Sequence, residues 1–202
     1  MTCATVAVMT RRPLHRAGLV AGLLVCVVGL AGCGGDSDQP DDAGTSTLQI
    51  PSTIDVTSSV FDDGDAIPPG YSCDGTNSSP PLAWTGVPAS AVALALVVSD
   101  PDAANGTFYH WIVADIPPET TDFELGATPD GVVAQNSTGQ SAYMGPCPPS
   151  GTHHYRFTVY ALDKKTGLTE GADTTDALHA IQDVAFADGT LVGTFTRATE
   201  TD

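Results

Sequence analysis

Two carboxylates and an imidazole stand close together in this chain: Asp100 and Asp102 in Ser99-Asp100-Pro101-Asp102-Ala103, then His110 in Tyr109-His110-Trp111. A second stretch, Gly145-Pro146-Cys147-Pro148-Pro149-Ser150-Gly151-Thr152-His153-His154-Tyr155, joins a Pro/Gly loop to two more imidazoles and a phenol. A carboxylate beside an imidazole favours the protonated ring, and an imidazolium donates two hydrogen bonds while offsetting the charge of a bound anion. A tyrosine hydroxyl adds a donor. Pro148, Pro149 and Gly151 make a rigid wall that backbone can approach closely. The two stretches are expected to form the walls of one small anion-binding pocket. Asp102 is expected to tie its loop by accepting backbone N–H groups, as Asp does in turns. Trp84 and Trp111 are both expected to support the pocket, as core and pocket wall. His154 is expected to point away from His153, because neighbours on a strand alternate.

The elements that would hold these residues are mostly strands. Val92 to Val98 is a continuous apolar run of strand length, the pattern of a central strand buried on both faces. It delivers Asp100 at its end. Phe108 to Ile116 is a second apolar segment, stopped by Pro117-Pro118. Tyr155 to Tyr160 alternates, and Ile54 to Thr57 and Thr190 to Phe195 are further strands. One helix is expected over Thr175 to Phe186, capped by Thr174 or Thr175. Short strands, many Gly/Pro turns and one or two peripheral helices predict a mainly β fold, an antiparallel sandwich.

The first residues belong to another class of segment. Arg11, Arg12 and Arg16 precede an apolar run from Ala17 to Leu30, and Leu30-Ala31-Gly32-Cys33 closes it. That length and those flanks suit a signal peptide. The ending looks like a bacterial lipobox, in which Cys33 takes the lipid. Residues 1–32 are therefore expected to be a lipoprotein signal peptide, 33–47 a disordered acidic tether of Gly, Asp, Ser and Thr, and 48–202 the folded domain. The expected location is the outer side of a bacterial cell membrane, reached by export and held through Cys33. All acids lie after Cys33, so the remainder carries 24 acids against 4 bases, a net of about −20. Such a surface repels nucleic acid and anionic bilayers. Beyond Cys33 two cysteines remain, Cys73 and Cys147. An exported chain meets oxidising conditions, so a disulfide between them is expected, two free thiols being the alternative.

Many short pieces match one known family in order and spacing. They include Tyr71 with Cys73-Asp74-Gly75, Ser79-Pro80-Pro81-Leu82 with Trp84, Asp100-Pro101-Asp102-Ala103, His110-Trp111, Gly145-Pro146-Cys147-Pro148-Pro149, His153 with Tyr155, and Leu191-Val192-Gly193. On these residues the chain resembles the phosphatidylethanolamine-binding protein family, in its bacterial Raf-kinase-inhibitor-like branch. The resemblance runs through nearly the whole expected domain. It implies a sandwich of antiparallel sheets with a small pocket for phosphoryl or carboxylate groups. It also implies that Asp100, His110, Pro149, His153 and Tyr155 line that pocket. Two positions depart from the pattern: His154 stands where relatives usually carry Arg, and Ala104 where they carry Pro.

The function this points to is a lipid-anchored, non-enzymatic binding protein for a small phosphorylated or carboxylated ligand, with no cofactor and no metal. The alternative is an inhibitor of a protein partner such as a protease or kinase. A metal-assisted hydrolase ranks below both, since neither a Gly-x-Ser-x-Gly elbow nor a His-Glu-x-x-His pair is present. The branch resembled can form homodimers, and nothing in the sequence fixes the stoichiometry.

Overall fold

A computed structural model describes residues 51–127 and 129–197. The expected signal peptide, Cys33 and the tether lie outside the described residues. Among those described, no helix is long and apolar enough to cross a membrane.

Among the described residues, eight strands make two antiparallel sheets, accompanied by one α-helix. The larger has the order β6-β4-β3-β7-β8, formed by β6 (Val132–Val133), β4 (Phe108–Ile116), β3 (Ala93–Asp100), β7 (Thr152–Leu162) and β8 (Ala185–Thr196). The smaller has the order β1-β2-β5, from β1 (Asp55–Thr57), β2 (Leu82–Thr85) and β5 (Asp122–Phe123). The mainly β sandwich expected from the strand pattern is the fold observed.

β3 lies at the centre because both of its faces are apolar. Leu94, Leu96 and Val98 pack inward with Trp84, Phe157, Val159 and Leu191 between the sheets. Ala93, Ala95 and Val97 face outward, where Ala177 and Ile181 of α1 (Thr174–Gln182) help to cover the sheet. Period-2 alternation thus splits one run between two cores.

Two boundaries differ from expectation. The helix ends at Gln182, and Ala185 opens β8, which pairs with β7 from Leu162 to Thr152. The extended pairing register takes Ala185 and Phe186 out of the helical pattern. The N-cap is Asp173, whose side chain accepts from the Thr175 N–H at 2.8 Å, while the Thr174 hydroxyl donates to the Gln135 carbonyl at 2.7 Å. Asp173→Ala is expected to cost about 1 kcal/mol of stability, read as a lower urea midpoint at unchanged slope. An unchanged midpoint would mean that burial of Ala177 and Ile181 alone holds the helix.

Candidate functional site

At one end of the larger sheet, β3, β4 and β7 bring chemically active side chains onto the inner face. β3 ends on Asp100, and Tyr155 and His153 lie at alternate positions near the start of β7. His110 reaches them through an irregularity. Val98 pairs with Trp111, whereas the next residue, Ser99, pairs with Tyr109, so His110 is the extra residue of a β-bulge. A bulge re-aims a side chain that strict alternation would send elsewhere. Its ring meets that of Tyr155 edge-on, with centroids 5.2 Å apart.

A cavity of about 220 Å³ opens there. Asp100, His110, Pro149, His153 and Tyr155 all line it, together with Pro148. Sequence reasoning missed Phe108 and Cys147, which supply further wall. The Phe108 ring lies tilted against that of His110, with centroids 4.7 Å apart. Three other assignments need correction. Trp84 is a core residue; it donates its indole N–H to the Thr120 carbonyl at 2.8 Å and meets Phe123 edge-on. Trp111 lies one residue past the bulge and lines a different cavity beside Tyr143. Gly151 does not admit a close backbone approach, since a Cβ there would meet nothing; its φ of +72° serves the turn into β7.

The polar groups of the cavity fall into two sets. Asp100 is buried and fully engaged: one carboxylate oxygen accepts from the Asp102 N–H at 2.8 Å, the other from His153 Nδ1 at 2.7 Å. Its direct work is to orient His153, leaving Nε2 as the ring's other nitrogen. Asp102 accepts from the His154 N–H at 2.8 Å and from His154 Nδ1 at 2.7 Å. The hydrogen bond from the His154 ring, and then that from its backbone, hold the Asp102 carboxyl below its usual range. His154 faces outward, opposite to His153, as alternation requires.

The second set is unsatisfied. His110 donates Nδ1–H to the Met144 carbonyl at 2.8 Å, which leaves its Nε2 buried without a hydrogen-bond partner. The Tyr155 hydroxyl is likewise buried and unpartnered. Burial pushes the His110 imidazole below its ordinary range, against the pull of the Met144 carbonyl and the Asp100 charge. The expectation of a protonated ring beside a carboxylate therefore fails at His110: desolvation outweighs the neighbouring charge. Burial, reinforced by Asp100, pushes the Tyr155 hydroxyl up, so it keeps its proton as a donor. No residue type in the sequence marked Met144, because the contact uses its backbone carbonyl.

The expected disulfide is formed. Cys73 and Cys147 are bonded with Cα atoms 5.4 Å apart, joining the loop after a 3-10 turn (Pro69–Tyr71) to the cavity wall. Among the described residues no group of three or more His, Cys, Asp or Glu side chains is arranged to hold a metal.

A family model described as phosphatidylethanolamine-binding protein matches residues 57–196. A Mycobacterium tuberculosis protein named as a candidate lipoprotein, LppC, is 41% identical over 196 residues, covering 90% of this chain and 97% of that one. A Methanothermobacter thermautotrophicus protein named only as UPF0098 is 42% identical over 150 residues, covering 71% of this chain and 99% of its own length. Among solved structures, a Chlamydia trachomatis protein described as a candidate homologue of the same family superposes with a TM-score of 0.69 at 36% identity, covering 73% of this chain and 99% of that one. Escherichia coli YbcL, described as a new member of the mammalian family, gives 0.68 at 27% identity, covering 73% of this chain and 100% of its own.

Proposed function

This chain belongs to the phosphatidylethanolamine-binding protein family, and from that premise we propose that it is a lipid-anchored binding protein whose cavity takes one phosphoryl or carboxyl group without transforming it. The observation that carries the reading is the pair of orphaned polar atoms, His110 Nε2 and Tyr155 Oη, both buried and both on residues that line the same cavity. An unpaired buried polar group costs about 1–3 kcal/mol, and a ligand that pairs both recovers that cost on binding. Anchoring through Cys33 rests on the Leu30-Ala31-Gly32-Cys33 ending and on the name of the LppC relative. The relatives named here carry no enzymatic name, which supports binding over catalysis.

The chemistry of the pair selects a protonation state. The Tyr155 hydroxyl donates. Neutral His110 presents a lone pair at Nε2, which repels a bare oxyanion but accepts from a P–OH or a carboxylic O–H. Binding therefore needs one proton, carried by the ligand or taken up by His110. The affinity for O-phosphoethanolamine is expected to rise as pH falls from about 8 to about 6, by up to about tenfold per unit. A pH-independent affinity would put His110 outside the contact.

The direct test is a calorimetric titration of the full chain with inorganic phosphate and with O-phosphoethanolamine, beside His110→Ala and Tyr155→Phe. Saturable binding is expected, weakened about 10- to 100-fold by either change, the worth of one hydrogen bond to a charged group. A folded wild type that binds neither ligand overturns the pocket reading and favours a protein partner.

A further inference from the structure

A second polar cavity, of about 330 Å³, lies on the opposite face of the larger sheet. Helix α1 covers only part of that face. Where it stops, Ser99, Arg156 and Thr158 stand on two central strands, flanked by Tyr109, Tyr160 and Asp188. Gln182 of α1 closes one end, and Pro101 and Thr107 close the other. The anion cavity lies across the sheet, sharing only the loop between β3 and β4.

The unusual feature is a charge pair that does not close. Arg156 is one of four basic residues among those described, in a chain with 24 acids. An acid, Asp188, lines the same cavity, near enough for the guanidinium charge to act on its carboxyl. Yet the two are more than 4.0 Å apart, and among the described residues Arg156 makes no ion pair. Desolvation raises the Asp188 carboxyl above its ordinary range even so, and Tyr160 is raised by burial and by Asp188. A guanidinium and a carboxyl held apart across a cavity match a group that accepts from one and donates to the other at a single atom. A hydroxyl does this, and vicinal hydroxyls do it in series.

We propose that this outer-face cavity is a second binding site, independent of the anion pocket, and that its ligand is a neutral saccharide held between Arg156 and Asp188 against Tyr109 and Tyr160. Three observations select that class. The cavity contains one charge of each sign, so it has no cation excess for a phosphate or an acidic sugar, and the chain's net charge of −17 opposes either. Its floor belongs to β3 and β7, which are paired on both sides, so no free edge accepts a peptide as an added strand. Two tyrosines, Tyr109 and Tyr160, line the same cavity, and an aromatic side chain that combines an apolar body with a polar handle suits a sugar ring, which pairs C–H surface with hydroxyls.

The test uses the full chain with cellotetraose, chitotetraose and maltotetraose as neutral probes and tetragalacturonic acid as the acidic one. Binding is followed by calorimetry and by shifts of assigned backbone amide resonances. Saturable binding of at least one neutral probe is expected, with shifts centred on Arg156, Tyr160 and Asp188. Arg156→Gln and Asp188→Asn are each expected to weaken it about tenfold while leaving phosphate binding and the thermal midpoint unchanged. Three results overturn the proposal: no saturable binding of any neutral probe, tighter binding of the acidic probe, or variants that bind as the wild type does. Loss of phosphate binding alone leaves the second site standing, so the two readings fail separately.

Discussion

Replacing both Cys73 and Cys147 with Ser is expected to lower the unfolding free energy by about 4 kcal/mol, the loop-closure entropy released when a cross-link between residues 74 apart is removed. The urea midpoint should fall and the slope rise, because an uncrosslinked unfolded chain exposes more surface. The native structure loses less than the unfolded one gains. The two loops remain tied by the Cys73 N–H to the Pro146 carbonyl at 3.0 Å, and Arg197 holds Asp74 at 2.9 Å. Phosphate affinity should still fall several-fold, because Cys147 and the two prolines after it form cavity wall. An unchanged midpoint would show that the loops are held by their polar contacts alone and that the bond contributes nothing to stability.

The second large effect is expected at Gly189, on β8 between Asp188 and Thr190, two residues that line the outer-face cavity. A Cβ there would lie 1.8 Å from the Ile54 carbonyl oxygen and 2.6 Å from its carbon, both backbone atoms that cannot swing aside. Gly189 is the point where the segment before β1 crosses β8: Thr53 and Ile54 both donate to the Asp188 carbonyl, at 3.0 and 3.1 Å. Gly189→Ala must part the two segments and uncover Ile54, which is buried. A loss of about 3 kcal/mol or more is expected in a thermal or urea melt, at the upper end for forcing a methyl into a closed site. A loss below about 1 kcal/mol would mean that the crossing is loose. Gly64→Ala is the control, since a Cβ there meets nothing and only the φ of +83° is strained.

What the sequence revealed and what it concealed divide along physical lines. The apolar run from Val92 to Val98 placed a central strand because burial on both faces leaves no polar alternation, and β3 is that strand. The opposite facing of His153 and His154 followed from period 2. The disulfide was open between bonded and free, because two cysteines in loops carry no distance; the structure supplies it. The approach of His110 to Tyr155 was not legible. A bulge is an extra residue in a pairing register, and no single strand displays its register. The same gap misplaced Trp111, which the pairing register sets one residue past the bulge, against Tyr143. The protonation of His110 was misjudged for a different reason: sequence gives the neighbouring charge but not the burial that outweighs it. The ends of α1 moved because the reach of β8 depends on its partner, β7.

The seam between the two ends of the domain has a kinetic meaning. β8 is the last strand described, and it fastens the first segments: Ser52 bridges to Asp188, Ala66 to Thr194, and Asp63 accepts from the Val192 N–H across 129 residues of sequence. Contacts that distant in sequence form late, because the loop between them must close before they bring any gain. A chain emerging N-terminus first, from a ribosome or a translocation pore, can pair β1 with β2 early but holds Ser52, Asp63 and Ala66 without their partners until β8 has emerged. The sandwich therefore cannot close before its last strand is free. A domain wired in this way stays threadable for as long as any of β8 remains inside the pore, and its seam locks only on release.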